Sequence, residues 1–407
     1  MWYRLVMAKF RYVRRAEEET LRRRMAQFPV VAVTGPRQSG KSTMLERVPG
    51  RKARTVSLEL PSVLSRAEAD PELFLENLGT PAVIDEIQNL PALLPVIKHR
   101  VDQARQRPGQ YVLSGSQQFQ MMRGLAETLA GRVSILNLMP FDATEWPTKE
   151  RPASARTFFL SRCLKGAYPR PAVMRGLDAE AWFEGYIATY LERDVRGLHN
   201  IGNLRDFRRF MVLAAARIGQ IFNMSHFSQE LGVSGPTIRS WTSVLEASHI
   251  VFLLPPYHRN FGKRIIRSPK LYFVDVGLAL HLAGIRTAEH LLQGPMAGAA
   301  YENFVVQEIL KTHLHQGYRP NLYFWRSSGG HEVDILIERD GRLTAVECKL
   351  SSHPRPVMAA ALEQFIALSK EPRRMPAFIV APVEESIALT RQVRAVDIRT
   401  FLGTQRG

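Results

Sequence analysis

Three apolar runs punctuate the first third of the chain. In "FPVVAVTG" the residues at 30–33 are apolar without alternation, and the same holds at 82–84 in "PAVIDEIQNLP" and at 111–113 in "QYVLSGSQQF". Continuous apolar runs bounded by turn residues are what strands covered on both faces require, so these predict a parallel sheet. After the first run comes a glycine-bearing loop and then a helical pattern with Met44, Leu45 and Val48 on one side. From about residue 150, where Pro147 and Pro152 suggest a boundary, the spacing turns helical.

Further on, a helix through Phe227 and Leu231 meets Gly232, and Ser234 can cap a second helix with Pro236 in its first turn, the short break of a helix-turn-helix unit. The runs "IVFLLPPY" and "KLYFVDV" then read as strands joined by a basic turn, which together predict a winged helix. A last pair of alternating runs, "HEVDILIE" and "RLTAVECKL", flanks Asp340-Gly341, a strong two-residue hairpin signal. With those two residues as the loop, Arg339 faces Arg342 and equal steps outward set Asp334 opposite Glu347, on the face that also carries Lys349. Val333, Ile335, Ile337, Val346 and Cys348 are then expected on the opposite, apolar face.

Length and composition bound the picture. At 407 residues the chain predicts two or three domains. No apolar stretch is long enough to span a bilayer, and the first 28 residues read as a charged amphipathic helix rather than a secretory signal, so a cytoplasmic protein with no membrane partner is expected. The two cysteines, Cys163 and Cys348, have no metal-ligand spacing and read as buried thiols. A formal net charge of +17 favours a polyanionic partner, DNA before others, although an arginine-rich proteome would give the same sum.

Charge and pattern together locate the chemistry. Gly35-Pro36-Arg37-Gln38-Ser39-Gly40-Lys41-Ser42 fits G-x-x-x-x-G-K-S between strand and helix, with Thr43 next. Backbone N–H groups there can cradle phosphates, Lys41 can reach the β- and γ-phosphates of ATP, and Ser42 can ligate Mg²⁺. A parallel sheet brings Asp85 and Glu86 to the same edge, Asp85 for the magnesium shell and Glu86 for the attacking water. Ser114 and Ser116 follow the third run, where a polar group can sense the γ-phosphate or simply belong to a turn. Arg132 is the candidate for an arginine offered to a neighbouring subunit, with local pairing as the alternative.

On the winged helix, Thr237, Arg239 and Ser240 are expected on the exposed side of the second helix, and Arg259, Lys263, Arg264 and Lys270 along the wing, contacting DNA phosphates. A helical subdomain used for packing between subunits is the plainer alternative. Two opposed carboxylates, Asp334 and Glu347, suit a shared hard cation, with Lys349 beside them as a magnesium nuclease requires; a salt bridge on a polar sheet face is the alternative.

In this order, "GPRQSGKST", "YLERDVRGL", "LGVSGPTIRSWTSVLEASHIVFLLPPY", "RSPKLYFVDVGLA" and "GGHEVDILIE" make residues 10–350 resemble a large prokaryotic family in which an AAA+ type ATPase domain is fused to a C-terminal domain of unassigned function. The resemblance implies an α/β chain: a basic helix at 1–28, a parallel-sheet P-loop ATPase domain at 29–150, a helical and winged-helix region at 151–285, and a restriction-endonuclease-like α/β domain at 286–407. It also implies ATP and Mg²⁺ as cofactors, a homo-oligomer, and a nuclease-like set of Glu302, Asp334, Glu347 and Lys349. The activity then expected is ATP-driven processing of duplex or branched DNA. The alternative is a non-catalytic, ATP-switched regulator or STAND-like signalling ATPase whose nuclease-like domain only binds.

Overall fold

The structure is a computed structural model that describes residues 12–50, 53–105, 107–115, 127–146, 154–191, 204–257, 268–327, 329–368 and 375–405. Its first sheet has five strands, β1 (Val30–Thr34), β2 (Arg54–Ser57), β3 (Ala82–Asp85), β4 (Tyr111–Ser114) and β5 (Val133–Asn137), in the order β2-β3-β4-β1-β5. All pairings are parallel. Residues 30–33, 82–84 and 111–114 are buried throughout, which explains why those runs do not alternate. Because β4 lies between β1 and β3, three strand ends converge on one edge: the loop after Thr34, the acid pair at 85–86, and Ser114.

The middle region is helical. Helix Met224–Leu231 ends on left-handed Gly232 (φ 68°), and helix Gly235–Ala247 starts from Ser234, whose hydroxyl accepts the Thr237 N–H. β6 (Val251–Leu254) and β7 (Lys270–Phe273) follow as an antiparallel pair. The chain beyond β6 joins the last sheet, since the Tyr257 N–H donates to the Phe324 carbonyl at 2.7 Å and the Phe324 N–H to the Pro255 carbonyl at 3.0 Å.

That last sheet has six strands in the order β12-β13-β11-β10-β9-β8: β8 (Leu322–Arg326), β9 (Glu332–Arg339), β10 (Arg342–Cys348), β11 (Ala377–Val380), β12 (Ile387–Ala388) and β13 (Val393–Val396). β8, β9 and β10 form an antiparallel meander, and β11 joins β10 in parallel after helix Ala360–Ala367. Arg339 pairs with Arg342, and the register runs in equal steps to Ile335 opposite Val346. Asp340 (φ 51°) and Gly341 (φ 73°) both adopt the left-handed conformation a two-residue hairpin needs. One expected face does not hold. Val333 packs with Leu336 and Ala345 rather than with Ile335 and Ile337, because the β8/β9 ladder shifts register between Tyr323 and Trp325 and the irregularity turns the strand.

The helix Ala297–His315, with 19 residues, is the longest among the described residues. It is buried nearly all round and shares one apolar core with the middle helices, β6, β7 and one side of the last sheet. Its polar residues bind backbone: the Asn303 side chain accepts from the Phe273 N–H and donates to the Phe273 carbonyl, and Gln307 accepts from the Val276 N–H. The residues at 151–285 and 286–407 are therefore joined through one interior.

Candidate nucleotide and metal sites

The loop after β1 is shaped by backbone demands that only glycine meets. Gly35 has φ 140°, and a Cβ there would fall 2.1 Å from the Leu138 carbonyl oxygen. Gly40 (φ 94°) leads into helix Lys41–Leu45. Lys41, 6% exposed, donates its ammonium to the Gly35 and Pro36 carbonyls at 2.9 Å each, so its charge is aimed into the loop. The Ser42 hydroxyl donates to Asp85 Oδ2 at 2.8 Å, and Ser114 donates to Asp85 Oδ1. Asp85 thus links the loop to β3 and β4, and a hydroxyl beside a carboxylate is a donor set that fits Mg²⁺. Glu86 sits one residue on in the left-handed region (φ 55°) and accepts from the Gln88 amide.

Elements outside the sheet brace the loop. The Trp182 indole N–H donates to Gln38 Oε1 at 3.1 Å. Arg15, 3% exposed, donates to the Ser39 carbonyl at 2.7 Å, to the Met139 carbonyl at 2.6 Å, and to both oxygens of Glu145. His315, at the end of the long helix, closes this network through Nδ1 to Asp142 Oδ2 at 3.0 Å. Asp142, Glu145 and His315 converge closely enough to hold a metal. Their oxygens are already engaged by Arg15, the Ala16, Asp142, Thr144 and Glu145 N–H groups and His315, which marks an ion-pair network instead.

Glu17 borders that network. It is wholly buried, and neither carboxylate oxygen has a hydrogen-bond partner. Burial pushes its carboxyl up from 4.5 to about 7, against the pull of His315 and Arg15. An acid whose folded-state pKa lies above its unfolded one costs stability increasingly as pH rises between the two values, and fully above the higher. Glu17→Gln is therefore expected to stabilise the fold at about pH 8 by on the order of 1–3 kcal/mol and to have little effect near pH 4.5. Melting curves at the two pH values check this.

The second site forms where the middle region meets the last sheet. Asp334 (9% exposed) accepts the Cys348 N–H at 2.8 Å through Oδ2, and Lys349 Nζ donates to Glu347 Oε1 at 2.8 Å. Glu347 is 6% exposed, and its second oxygen, Oε2, is buried without a hydrogen-bond partner. Burial, with Glu302 and Glu347 nearby, raises the Asp334 carboxyl well above the ordinary range; burial also raises Glu347, opposed by Lys349. Neighbouring buried carboxylates, one with an orphaned oxygen, fit a hard divalent ion such as Mg²⁺. Glu302 reaches the same place from the long helix and accepts from Tyr272 Oη at 2.5 Å and Lys270 Nζ at 2.8 Å.

Several expected positions are corrected. Lys270 does not line an exposed wing: it is 4% exposed and ion-paired with Glu302 and Glu332, because its strand pairs inward with β6 and points the side chain at the acid cluster. The burial pulls its ammonium down, but the carboxylates Glu302, Asp334 and Glu332 outweigh that and raise its pKa. Arg132 precedes β5, at the sheet edge opposite the phosphate loop, and holds Asp102 with two hydrogen bonds of 2.6 and 3.0 Å. That is the local pairing, not an arginine projecting toward a nucleotide. Arg239 is exposed, whereas Thr237 and Ser240 are half-buried. Ser116, Arg259, Lys263 and Arg264 lie outside the described residues.

Among the described residues no helix is long and apolar enough to cross a membrane. A family described as "AAA domain" matches residues 27–146, and two described as domains of unknown function, DUF8612 and DUF4143, match 156–289 and 297–401. Among solved structures, the Walker-type ATPase PABY2304 of Pyrococcus abyssi is similar with a TM-score of 0.46 and 15% identity, over 65% of this chain and 94% of that one. A STAND protein with a tetratricopeptide repeat sensor, PH0952 of Pyrococcus horikoshii, has a TM-score of 0.26 and 12% identity over 75% of this chain and 46% of its own. Two curated relatives, the uncharacterized proteins Rv2008c of Mycobacterium tuberculosis and Mb2031c of Mycobacterium bovis, are each 34% identical over 398 residues, covering 96% of this chain and 85% of theirs. With a P-loop ATPase domain of AAA type followed by two domains of unknown function, this chain belongs to one family with those mycobacterial proteins.

Proposed function

We propose that the chain is a Mg²⁺-dependent ATPase that acts on DNA, with the Asp334, Glu347 and Lys349 site cutting or holding the phosphodiester backbone. In this reading Ser42 and Asp85 hold Mg²⁺ at the nucleotide, Lys41 turns from the loop carbonyls to the β- and γ-phosphates, and Glu86 orients the attacking water. Bound Mg²⁺ would neutralise charge developing on the phosphates. At the second site Asp334 and Glu347 would hold a divalent ion, Lys349 would steady a nucleophilic water or the developing charge, and Glu302 would complete the acidic set. The meander of β8–β10, followed by a helix and the parallel strand β11, supports a restriction-endonuclease-like reading of this domain. The +17 charge supports a polyanionic partner.

The observation that carries the proposal is the orphaned, buried Glu347 Oε2 beside Asp334 and Lys349. A solvated salt bridge would leave neither carboxylate oxygen buried and unpartnered. Incubation of end-labelled duplex, branched and single-stranded DNA with the purified chain and Mg²⁺ tests it. Cleavage that disappears in Lys349→Ala and Asp334→Asn is expected. Intact DNA in every reaction, with no retardation on native gels, would turn the reading toward a nucleotide-switched regulator. The contacts of Trp182 and Arg15 with the phosphate loop favour that second reading, since they tie the loop to the rest of the chain.

A further inference from the structure

The C-terminal acid site holds a group that the hairpin motif does not include. Lys270 comes from β7, in the middle region, and its ammonium lies 2.8 Å from Glu302 Oε1 and against Glu332 Oε1. Its backbone is held on both sides, by Leu254 of β6 and by a bridge to Ile221, and its ammonium lies 5.6 Å from the centre of the Phe324 ring. Tyr272, two residues along the same strand, donates to Glu302. A separate stretch of chain thus fixes one of the site's carboxylates.

We propose that Lys270 is the built-in second cation of this site. Two-metal phosphoryl-transfer sites place a pair of divalent ions about 3.5–4 Å apart among a shared set of carboxylates. Here Glu302, Glu332, Asp334 and Glu347 face the ammonium groups of Lys270 and Lys349. Four negative charges against two positive ones leave the charge of one divalent ion. Arg326 also approaches Glu332, at 3.7 Å, but from a partly exposed position where water screens it. Lys270 is shared between Glu302 and Glu332 and Lys349 pairs with Glu347 Oε1, which leaves Asp334 and the orphaned Glu347 Oε2 as the oxygens that face a single ion carrying the two remaining charges. The site therefore takes one divalent cation, and it is complete only with β7 in place. This rests on the reading of Asp334 and Glu347 as cation ligands.

The test counts Mn²⁺ bound to the full-length, nucleotide-free chain by isothermal titration and by spin counting, all in an Asp85→Asn background so that the Ser42 and Asp85 donors at the phosphate loop add no ion. Wild type is expected to bind one ion, lost in Asp334→Asn, with no second ion taken up to millimolar Mn²⁺. Lys270→Met is expected to bind two, and Lys270→Arg one. Two ions in wild type, or one ion in folded Lys270→Met, would overturn the role of Lys270 while leaving the cation site standing. No ion in wild type would overturn the cation reading and this inference with it. The wild-type stoichiometry decides the matter even if Lys270→Met does not fold.

Discussion

Lys41→Ala is expected to lower ATP turnover about 10²-fold or more, with the fold intact, as measured by phosphate release beside a melting curve. The physical reason lies in what the ammonium does in two states. Without nucleotide it holds two loop carbonyls at 2.9 Å each, interactions that need only a donor. With ATP bound, in the proposed reading, it would turn to the β- and γ-phosphates, where charge shifts as the bond breaks. Alanine removes that stabilisation, while Gly35 and Gly40 still set the backbone. Glu86→Gln should separate the steps, keeping ATP binding and losing hydrolysis. Turnover that survives Lys41→Ala within a factor of a few would mean that the loop is not the catalytic phosphate site.

Asp334→Asn is the second substitution with a large expected effect, and its two consequences have opposite signs. Without divalent cations, a buried carboxylate beside Glu302 and Glu347 destabilises the fold, so the neutral amide is expected to raise stability by about 1–3 kcal/mol. The amide oxygen still accepts the Cys348 N–H. With Mg²⁺ present, wild type should gain stability by mass action, and Asp334→Asn should not. Melting temperatures with EDTA and with Mg²⁺ distinguish the cases. A variant less stable than wild type in EDTA would show that the carboxylate is balanced by Lys270 and Lys349 alone and needs no metal.

How much of this was legible depended on how local the deciding interaction is. The phosphate loop is contiguous, and its glycines are demanded by left-handed backbone at Gly35 and Gly40, so the motif and its geometry coincide. The β9/β10 register follows from two residues, Asp340 and Gly341, whose positive φ sets the turn and hence every pair outward to Ile335 and Val346. Where the partner is distant, pattern reading misled. Lys270 looks like a wing cation when read among "GKRIIRSPK", but its partners stand on the long helix and on β9. Val333 alternates correctly in sequence and lands on the wrong face, since the β8/β9 irregularity depends on how β8 pairs. Arg15, Asp142, Glu145 and His315 were missed altogether. Their signal was faint: the polar positions Asn303, Gln307, Glu308 and Lys311 recur within an apolar helix and hint that it is buried among polar partners at its far end as well.

Coupling of the ATPase to DNA is decided by steady-state ATP hydrolysis by the purified chain, with and without duplex, branched and single-stranded DNA, beside Lys41→Ala. The expected result is Mg²⁺-dependent turnover that rises with at least one DNA form, weakens steeply as salt is added, and falls about 10²-fold or more in the variant. ATP turnover indifferent to every DNA at all salt concentrations would contradict it, and would leave a P-loop ATPase whose partner is a protein.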